Sequence, residues 1–313
     1  MSIRSVINLL LPSSLRTLLR KRKVSWRVAI ALGKGLPKTL CVDVGASYYP
    51  HTKWLVFLNA PKTQWLAVEP NEANIGYVTS WEWPCHIEKC TTGLSREGGK
   101  QILYVTNTDT GSSLLPPEIP EGMRHRITNL DYFFPVKERE IETITLVQAV
   151  ARHPVEIPIM VKLDTQGTEL SILMGASQLF ESKRIIGIEI ESTLLATPLM
   201  KGSGRFWQAC EFLEEKGFEL LHIKPIQAVG RTGQVKPGRN TYLNECDAVF
   251  ALRPDVAALQ PVEYRVALLG FYLTNQLFEE GLSLLERDAT VCDYLKAHTV
   301  NTKELKNIIE AAL

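Results

Sequence analysis

From residue 39 onward the chain alternates short apolar runs with stretches of helical periodicity, and this alternation limits its fold more than any other feature. Apolar runs that continuous belong to strands buried on both faces, which requires a parallel sheet covered by helices. Residues 39–44 read as a first strand ended by Gly45, residues 51–59 as a helix, and residues 65–68 as a second strand. A helix over 72–80 and a third strand over 86–90 follow. Residues 102–106 read as an extra strand before a loop at 107–121 rich in Gly, Ser and Pro, long enough to be functional. An edge-like segment at 141–146 and a short helix to 152 lead into a strongly apolar strand at 157–163. A helix at 169–180, a strand at 184–190 and a helix at 205–216 stopped by Gly217 come next. Two final strands, 218–223 and 248–252, are expected to pair antiparallel at one sheet edge.

Beyond Pro254 the pattern turns wholly helical. Val266, Leu269, Leu273 and Leu277 repeat at helical spacing over 262–278, Gly281 punctuates, and 282–298 continues as helix. Asn301 and Glu304 have capping-box spacing before Leu305, Ile308 and Ile309. The expected organisation is a basic amphipathic N-terminal helical segment (1–38), an α/β domain (39–253) and a C-terminal helical appendage (254–313). The appendage could pack on the sheet, complete a substrate cleft or form a homo-oligomer interface.

Composition narrows the function classes. With 45% hydrophobic and 22% charged residues the chain can bury a core, and a net charge of +1 argues against a nucleic-acid partner. The charge is uneven, however. Arg4, Arg16, Arg20, Lys21, Arg22, Lys23, Arg27, Lys34 and Lys38 all precede the first acid, Asp43, and are interleaved with leucines and Trp26. Such a leader suits peripheral contact with a membrane surface, or a helix packed on the domain with a solvated basic face. A transit peptide shares this composition, whereas Pro12 cuts the apolar stretch short for a signal peptide. No run approaches the roughly 18–20 apolar residues that span a bilayer. The six cysteines form no C-x-x-C pair, and Cys85, His86 and Cys90 match no common zinc spacing. The expected location is the cytoplasm, with or without peripheral membrane contact.

Three segments carry chemistry. The first strand ends in Asp43-Val44-Gly45-Ala46-Ser47, and the second in Val68-Glu69-Pro70-Asn71. In a doubly wound sheet ligands bind beyond the carboxyl ends of strands, where Asp43 could receive an ammonium and Glu69 both hydroxyls of a ribose. A dinucleotide dehydrogenase would also use such acids. Gly45, however, is followed by Ala-Ser-Tyr-Tyr-Pro rather than the Gly-x-Gly-x-x-Gly turn that holds a pyrophosphate. S-adenosylmethionine, which has an ammonium, a carboxylate, a ribose and an adenine but no pyrophosphate, fits better.

The third segment, Val161-Lys162-Leu163-Asp164-Thr165-Gln166-Gly167-Thr168-Glu169, is the most specific. Lys162 and Asp164 share one side of an extended strand. Buried charges there must be paired or functional. A structural reading is a Lys162–Glu169 ion pair that fixes the turn. The functional one puts Asp164 at a cleft, orienting or deprotonating an acceptor hydroxyl with Lys162 tuning its charge.

These segments, with Thr110-Gly111-Ser112-Ser113-Leu114 and Leu173-Met174-Gly175-Ala176, resemble the FkbM-like S-adenosylmethionine-dependent methyltransferases over roughly residues 39–252. The resemblance implies a Rossmann-like class I methyltransferase sheet, mostly parallel with its last strand antiparallel, that O-methylates sugar or polyketide hydroxyls. It implies that Asp43, Gly45, Ala46, Ser47, Glu69, Pro70 and Asn71 bind the cofactor, and that Lys162, Asp164 and Glu169 lie at the transfer cleft. The family's Gly-Ala-Asn-x-Gly is here Gly45-Ala46-Ser47-Tyr48-Tyr49, and its Leu-Asp pair before the key strand is Leu146-Val147.

Two further features bear on the reaction. Glu189 and Glu191 could join Asp164 around a divalent metal, although strand-end acids more often pair with Lys or Arg. Lys224, Arg231, Lys236 and Arg239 punctuate a Gly-rich connection at 222–244 that could hold an anionic acceptor or be an ordinary solvated hairpin. His51, His125 and His153 read as surface or packing residues. The leading expectation is an O-methyltransferase acting on a hydroxyl of a carbohydrate-type small-molecule or glycan acceptor, such as a glycan, a nucleotide sugar or a related natural product. A catalytically inactive binding or scaffold relative, and another nucleotide-binding enzyme on the same architecture, are the competing readings.

Overall fold

The computed structural model describes residues 24–48, 50, 52–71, 74–75, 82–119, 121, 133–227 and 243–313. Residues 1–23 of the basic leader, most of the 72–80 helix, His51, His125, and Arg231, Lys236 and Arg239 lie outside that set.

A seven-stranded sheet runs β3-β2-β1-β7-β8-β10-β9. Its strands are β1 (Thr39–Val44), β2 (Thr63–Val68), β3 (His86–Cys90), β7 (Ile159–Leu163), β8 (Ile185–Thr193), β9 (Phe218–Gln227) and β10 (Leu243–Leu252). The pairs β1–β2, β2–β3, β1–β7 and β7–β8 are parallel, whereas β10 is antiparallel to both β8 and β9. That order is the Rossmann-like class I methyltransferase sheet. Strand order reverses between β1 and β7, so the carboxyl ends of β1 and β7 flank the switch point where such folds bind ligands.

Burial explains why these runs are strands. Every residue of β1 is buried, and in β7 and β8 only Lys162 and Glu191 are partly exposed. Those two residues are the only interruptions of otherwise dry strands in β7 and β8.

Several expected elements differ in extent. The segment expected at 141–146 is part of a ten-residue strand, β6 (Pro135–Ile144). It lies in a separate three-stranded sheet with β4 (Gly93–Leu94) and β5 (Gly99–Thr106), ordered β4-β6-β5. Thr145 then closes a capping box with Gln148 and starts the helix Leu146–Val150. The helix expected over 169–180 is two, Glu169–Met174 and Ser177–Glu181. They part at Gly175, where a Cβ would stand 2.3 Å from the carbonyl oxygen of Arg96, so the backbone of a neighbouring turn occupies the space of a side chain.

The helical tail shares its core with the sheet. The helix Val262–Thr274 is buried along almost its whole length; Phe271 lies against Gly187 of β8, and its ring centroid is 5.9 Å from that of Trp54. Each such large apolar side chain contributes roughly 1.5–3 kcal/mol by burial. Gly281 does not punctuate the tail: it lies inside the helix Phe278–Arg287, where a Cβ would meet Leu273 at 2.7 Å. The breaks fall instead at Asn275 to Leu277 and at Asp288, whose carboxylate accepts from the amides of Thr290 and Val291 and starts the helix Ala289–Ala297. Asn301 caps the last helix, Thr302–Glu310, through the Glu304 amide. At the other end of the chain, the helix at residues 24–32 buries Val28, Ala29 and Leu32 and leaves Trp26 and Ile30 exposed. No helix among the described residues is long and apolar enough to cross a membrane.

Candidate active site

Beyond the ends of β1 and β2 lies a cavity of about 260 Å³. Its first wall is the pair of strand-end turns: Gly45 and Ser47 after β1, then Glu69, Pro70 and Asn71 after β2. The main-chain amides of Gly45 and Ala46 both donate to the Val68 carbonyl, which ties the two turns together. The Asn71 amide donates to Glu69 Oε1 at 2.8 Å and orients that carboxylate. Gly45 has φ 80°, and a Cβ there would lie 1.9 Å from the Asp164 carbonyl oxygen, so only glycine fits.

The opposite wall is the turn after β7, with Asp164, Thr165 and Thr168. The Asp164 amide donates to the Val44 carbonyl, so the two walls share one backbone hydrogen bond beside Gly45. The second sheet and its loop close the cavity with Leu103, Val105, Lys137, Arg139 and Ile141, and with Thr110, Ser112, Ser113 and Leu114. Among the described cavity residues, Lys137 and Arg139 had no sequence signal, because β6 reads as an exposed charged strand. Thr110 to Leu114 stood out only through the family resemblance.

The remaining expected site residues stand behind the walls. Asp43 is buried and does not line the cavity; the ammonium it receives is that of Lys162, at 3.4 Å. Lys162 also reaches Asp164 at 3.5 Å, and the Asp164 side chain is 42% exposed against 14% for Lys162. Burial alone would lower the Lys162 pKa, but Asp43, Asp164 and Glu189 together push it up, so the lysine is charged. The Lys162–Glu169 ion pair is not formed. Glu169 instead folds over its own turn and accepts from the amides of Thr165 at 2.7 Å and Gly167 at 2.9 Å. Burial raises its pKa, partly offset by those amides. Ala46 is buried beside the first turn, outside the cavity lining.

A second, narrower slot adjoins the Asp164 wall and is lined by Gln166, Glu169, Glu191, Ser192, Ser203 and Glu245 among others. Burial first, then the neighbouring carboxylates of Asp164, Glu245 and Glu169, raises the Glu191 pKa well above the usual range. Burial, followed by Glu169, Asp164 and Asp247, pushes Glu245 up to about 7. The metal reading of Asp164, Glu189 and Glu191 finds no support: Glu189 pairs with Lys53, and Glu191 accepts from the Gln166 amide. Among the described residues no group of three or more His, Cys, Asp or Glu could hold a metal ion. Lys224 pairs with Asp247 at 3.1 Å, and the six cysteines are free thiols. His153 is buried between Gln64 and Glu88, near the opposite end of β2 from the cavity.

Residues 43–220 match the Methyltransferase FkbM domain, more than half of the chain. The chain belongs to the FkbM methyltransferase family. It is therefore an S-adenosylmethionine-dependent methyltransferase. No curated protein matches it. Among solved structures it is similar to the precorrin-6y C5,15-methyltransferase of Geobacter metallireducens, at 12% identity, TM-score 0.32, covering 72% of this chain and 88% of that one. It is also similar to an S-adenosylmethionine-dependent methyltransferase of Anabaena variabilis, at 10% identity, TM-score 0.32, covering 72% and 81%.

The cavity of this FkbM methyltransferase fits the cofactor's chemistry. Glu69 offers a carboxylate at the end of the second strand, Val44, Val68, Leu94 and Leu103 offer apolar surface, and Lys137 and Arg139 offer positive charge for a carboxylate.

Proposed function

We propose that this methyltransferase acts on a hydroxyl of a carbohydrate-type acceptor. S-adenosylmethionine, when bound, supplies an electrophilic methyl group on a sulfonium. Glu69 would accept hydrogen bonds from the ribose hydroxyls, while Gly45 and Ser47 would let the backbone approach the methionine end. Asp43 acts from beneath by fixing Lys162, which in turn holds Asp164. Asp164 would orient the acceptor hydroxyl and take its proton as the oxygen displaces a neutral thioether sulfur from the methyl carbon.

The observation that carries this reading is the position of Asp164 on the cavity, hydrogen-bonded to a residue of the acid-lined slot. That slot holds only about 20 Å³, and its rim presents carboxyl, amide and hydroxyl groups that suit hydrogen bonds to a hydroxylated ligand lying across it.

The test is transfer of labelled methyl from S-adenosylmethionine to a panel of nucleotide sugars, oligosaccharides and polyketide alcohols, with amines and thiols as controls. Label appearing as an acid-stable ether on a sugar hydroxyl supports the reading. Label confined to amines or thiols overturns the hydroxyl assignment, and cofactor binding without transfer to any acceptor favours an inactive binding relative.

A further inference from the structure

Gln166 stands between the cofactor cavity and the acid-lined slot, in a conformation that costs energy to hold. Its φ is 57°, in the left-handed region that a residue with a Cβ rarely adopts. The side-chain amide donates to Glu191 Oε2 at 2.8 Å and reaches Asp164 Oδ1 at 3.4 Å. The main-chain carbonyl accepts from Ser113 Oγ at 2.9 Å, and Ser113 is itself buried and takes the Leu115 amide at 3.0 Å. Ser113 belongs to the loop that lines the cofactor cavity. One residue thus joins the cofactor loop, the cavity acid and the slot acid.

We infer that Gln166 is the positioning residue for Asp164: its neutral amide holds Asp164 and Glu191 side by side, and Ser113 locks the turn that aims it. This rests on the reading of Asp164 as the acceptor-side acid. Two carboxylates this close repel when both are ionised, and a shared donor offsets that repulsion. The charged and titratable groups around the pair, among the described residues, are Lys162 of β7, Glu169 of the following helix, Glu245 and Asp247 of β10, and, behind Lys162, Asp43 of β1 and Glu189 of β8 with its partner Lys53. Among the described residues the Gln166 amide touches both members of the pair, which also share a side-chain hydrogen bond.

The inference separates a backbone role from an amide role, because glycine adopts a φ of +57° without strain. Gln166→Gly keeps the turn and deletes the amide. Gln166→Asn tolerates the left-handed backbone and keeps an amide one methylene shorter. The experiment follows the carboxyl ¹³C signals of Asp164 and Glu191 with pH in the wild type and both variants. Asp164→Asn and Glu191→Gln assign the signals, and calorimetry with S-adenosylmethionine and methyl transfer are measured alongside.

In Gln166→Gly the upper midpoint of the pair should move up by about one pH unit, a tenfold rise in proton affinity. Turnover should fall about 10–100-fold through a misplaced base, with cofactor affinity within a few-fold of wild type. Gln166→Asn should lie between. An unchanged midpoint and unchanged kcat in Gln166→Gly would overturn the inference. A shifted midpoint in a protein that methylates nothing would sink the catalytic reading of Asp164 and leave the positioning of the pair standing.

Discussion

The two walls of the cavity are built on different physics. The first, Gly45 to Ser47 and Glu69 to Asn71, is held by backbone geometry: a glycine that no other residue can replace, and amides shared with the Val68 carbonyl. The second, Asp164 to Thr168, backs onto the slot of Glu169, Glu191 and Glu245 and is held by charge, with a lysine among carboxylates and two slot acids pushed upward by burial and by neighbouring carboxylates. A wall set by sterics binds a ligand of fixed shape, and its strength changes little with pH. A wall set by charge responds to protons, as a group that accepts one in the reaction must. Binding and chemistry are therefore expected to separate by wall.

The sharpest way to break that division is Asp164→Asn. Loss of a positioned base costs roughly 10²–10⁴-fold in rate, so turnover should collapse with S-adenosylmethionine affinity nearly intact. Kinetics paired with calorimetry would show this, and a parallel loss of cofactor affinity would blur the two walls into one.

Lys162→Met should act on the fold rather than on either ligand. It strands the buried Asp43 without its cation, and breaking a buried pair this way costs about 3–5 kcal/mol. Chemical denaturation measures it; a loss of rate at unchanged stability would instead move Lys162 into the chemistry.

On the other wall, Glu69→Gln removes the carboxylate proposed to accept from the ribose hydroxyls. A hydrogen bond to a charged group is worth about 1.5–3 kcal/mol, so cofactor affinity should fall roughly 10–100-fold while kcat at saturation changes little. Unaltered affinity would remove Glu69 from the cofactor wall.

The smallest effect concerns pH. Glu245 has its folded pKa raised from 4.5 to about 7, so the folded state binds the extra proton. Its contribution to stability is full below pH 4.5 and is lost as pH rises through about 7. Glu245→Gln should therefore raise the melting temperature by a few degrees at pH 8 and change it little at pH 4.5. Melting curves at the two pH values decide it, and equal shifts at both would mean that the cluster's charge is not what strains this wall.

How much of this could be read from the residues follows from what is local and what is not. β1 and β3 have the limits expected of them; for β1 a run of buried apolar residues bounded by a glycine is local information, whereas β3 is a half-exposed edge strand. The acids at the ends of β1 and β2 were also legible, as was the charged run from Lys162 to Glu169. What escaped depends on distant neighbours. The helix after β7 splits at Gly175 because Arg96, far away in sequence, fills the space beside it. The second sheet, which brings Lys137 and Arg139 to the cavity, pairs strands separated by a long connection. Asp43 reads as a ligand-binding acid from its strand end, yet the partner it meets is Lys162 on an adjacent parallel strand. Strand ends name the wall; register decides which side chain faces the ligand.

The most direct test of the division is S-adenosylmethionine calorimetry on the wild type, Glu69→Gln and Asp164→Asn side by side. Binding that weakens at least tenfold in Glu69→Gln and stays within a few-fold of wild type in Asp164→Asn is the predicted result. Binding lost in Asp164→Asn and preserved in Glu69→Gln would contradict it.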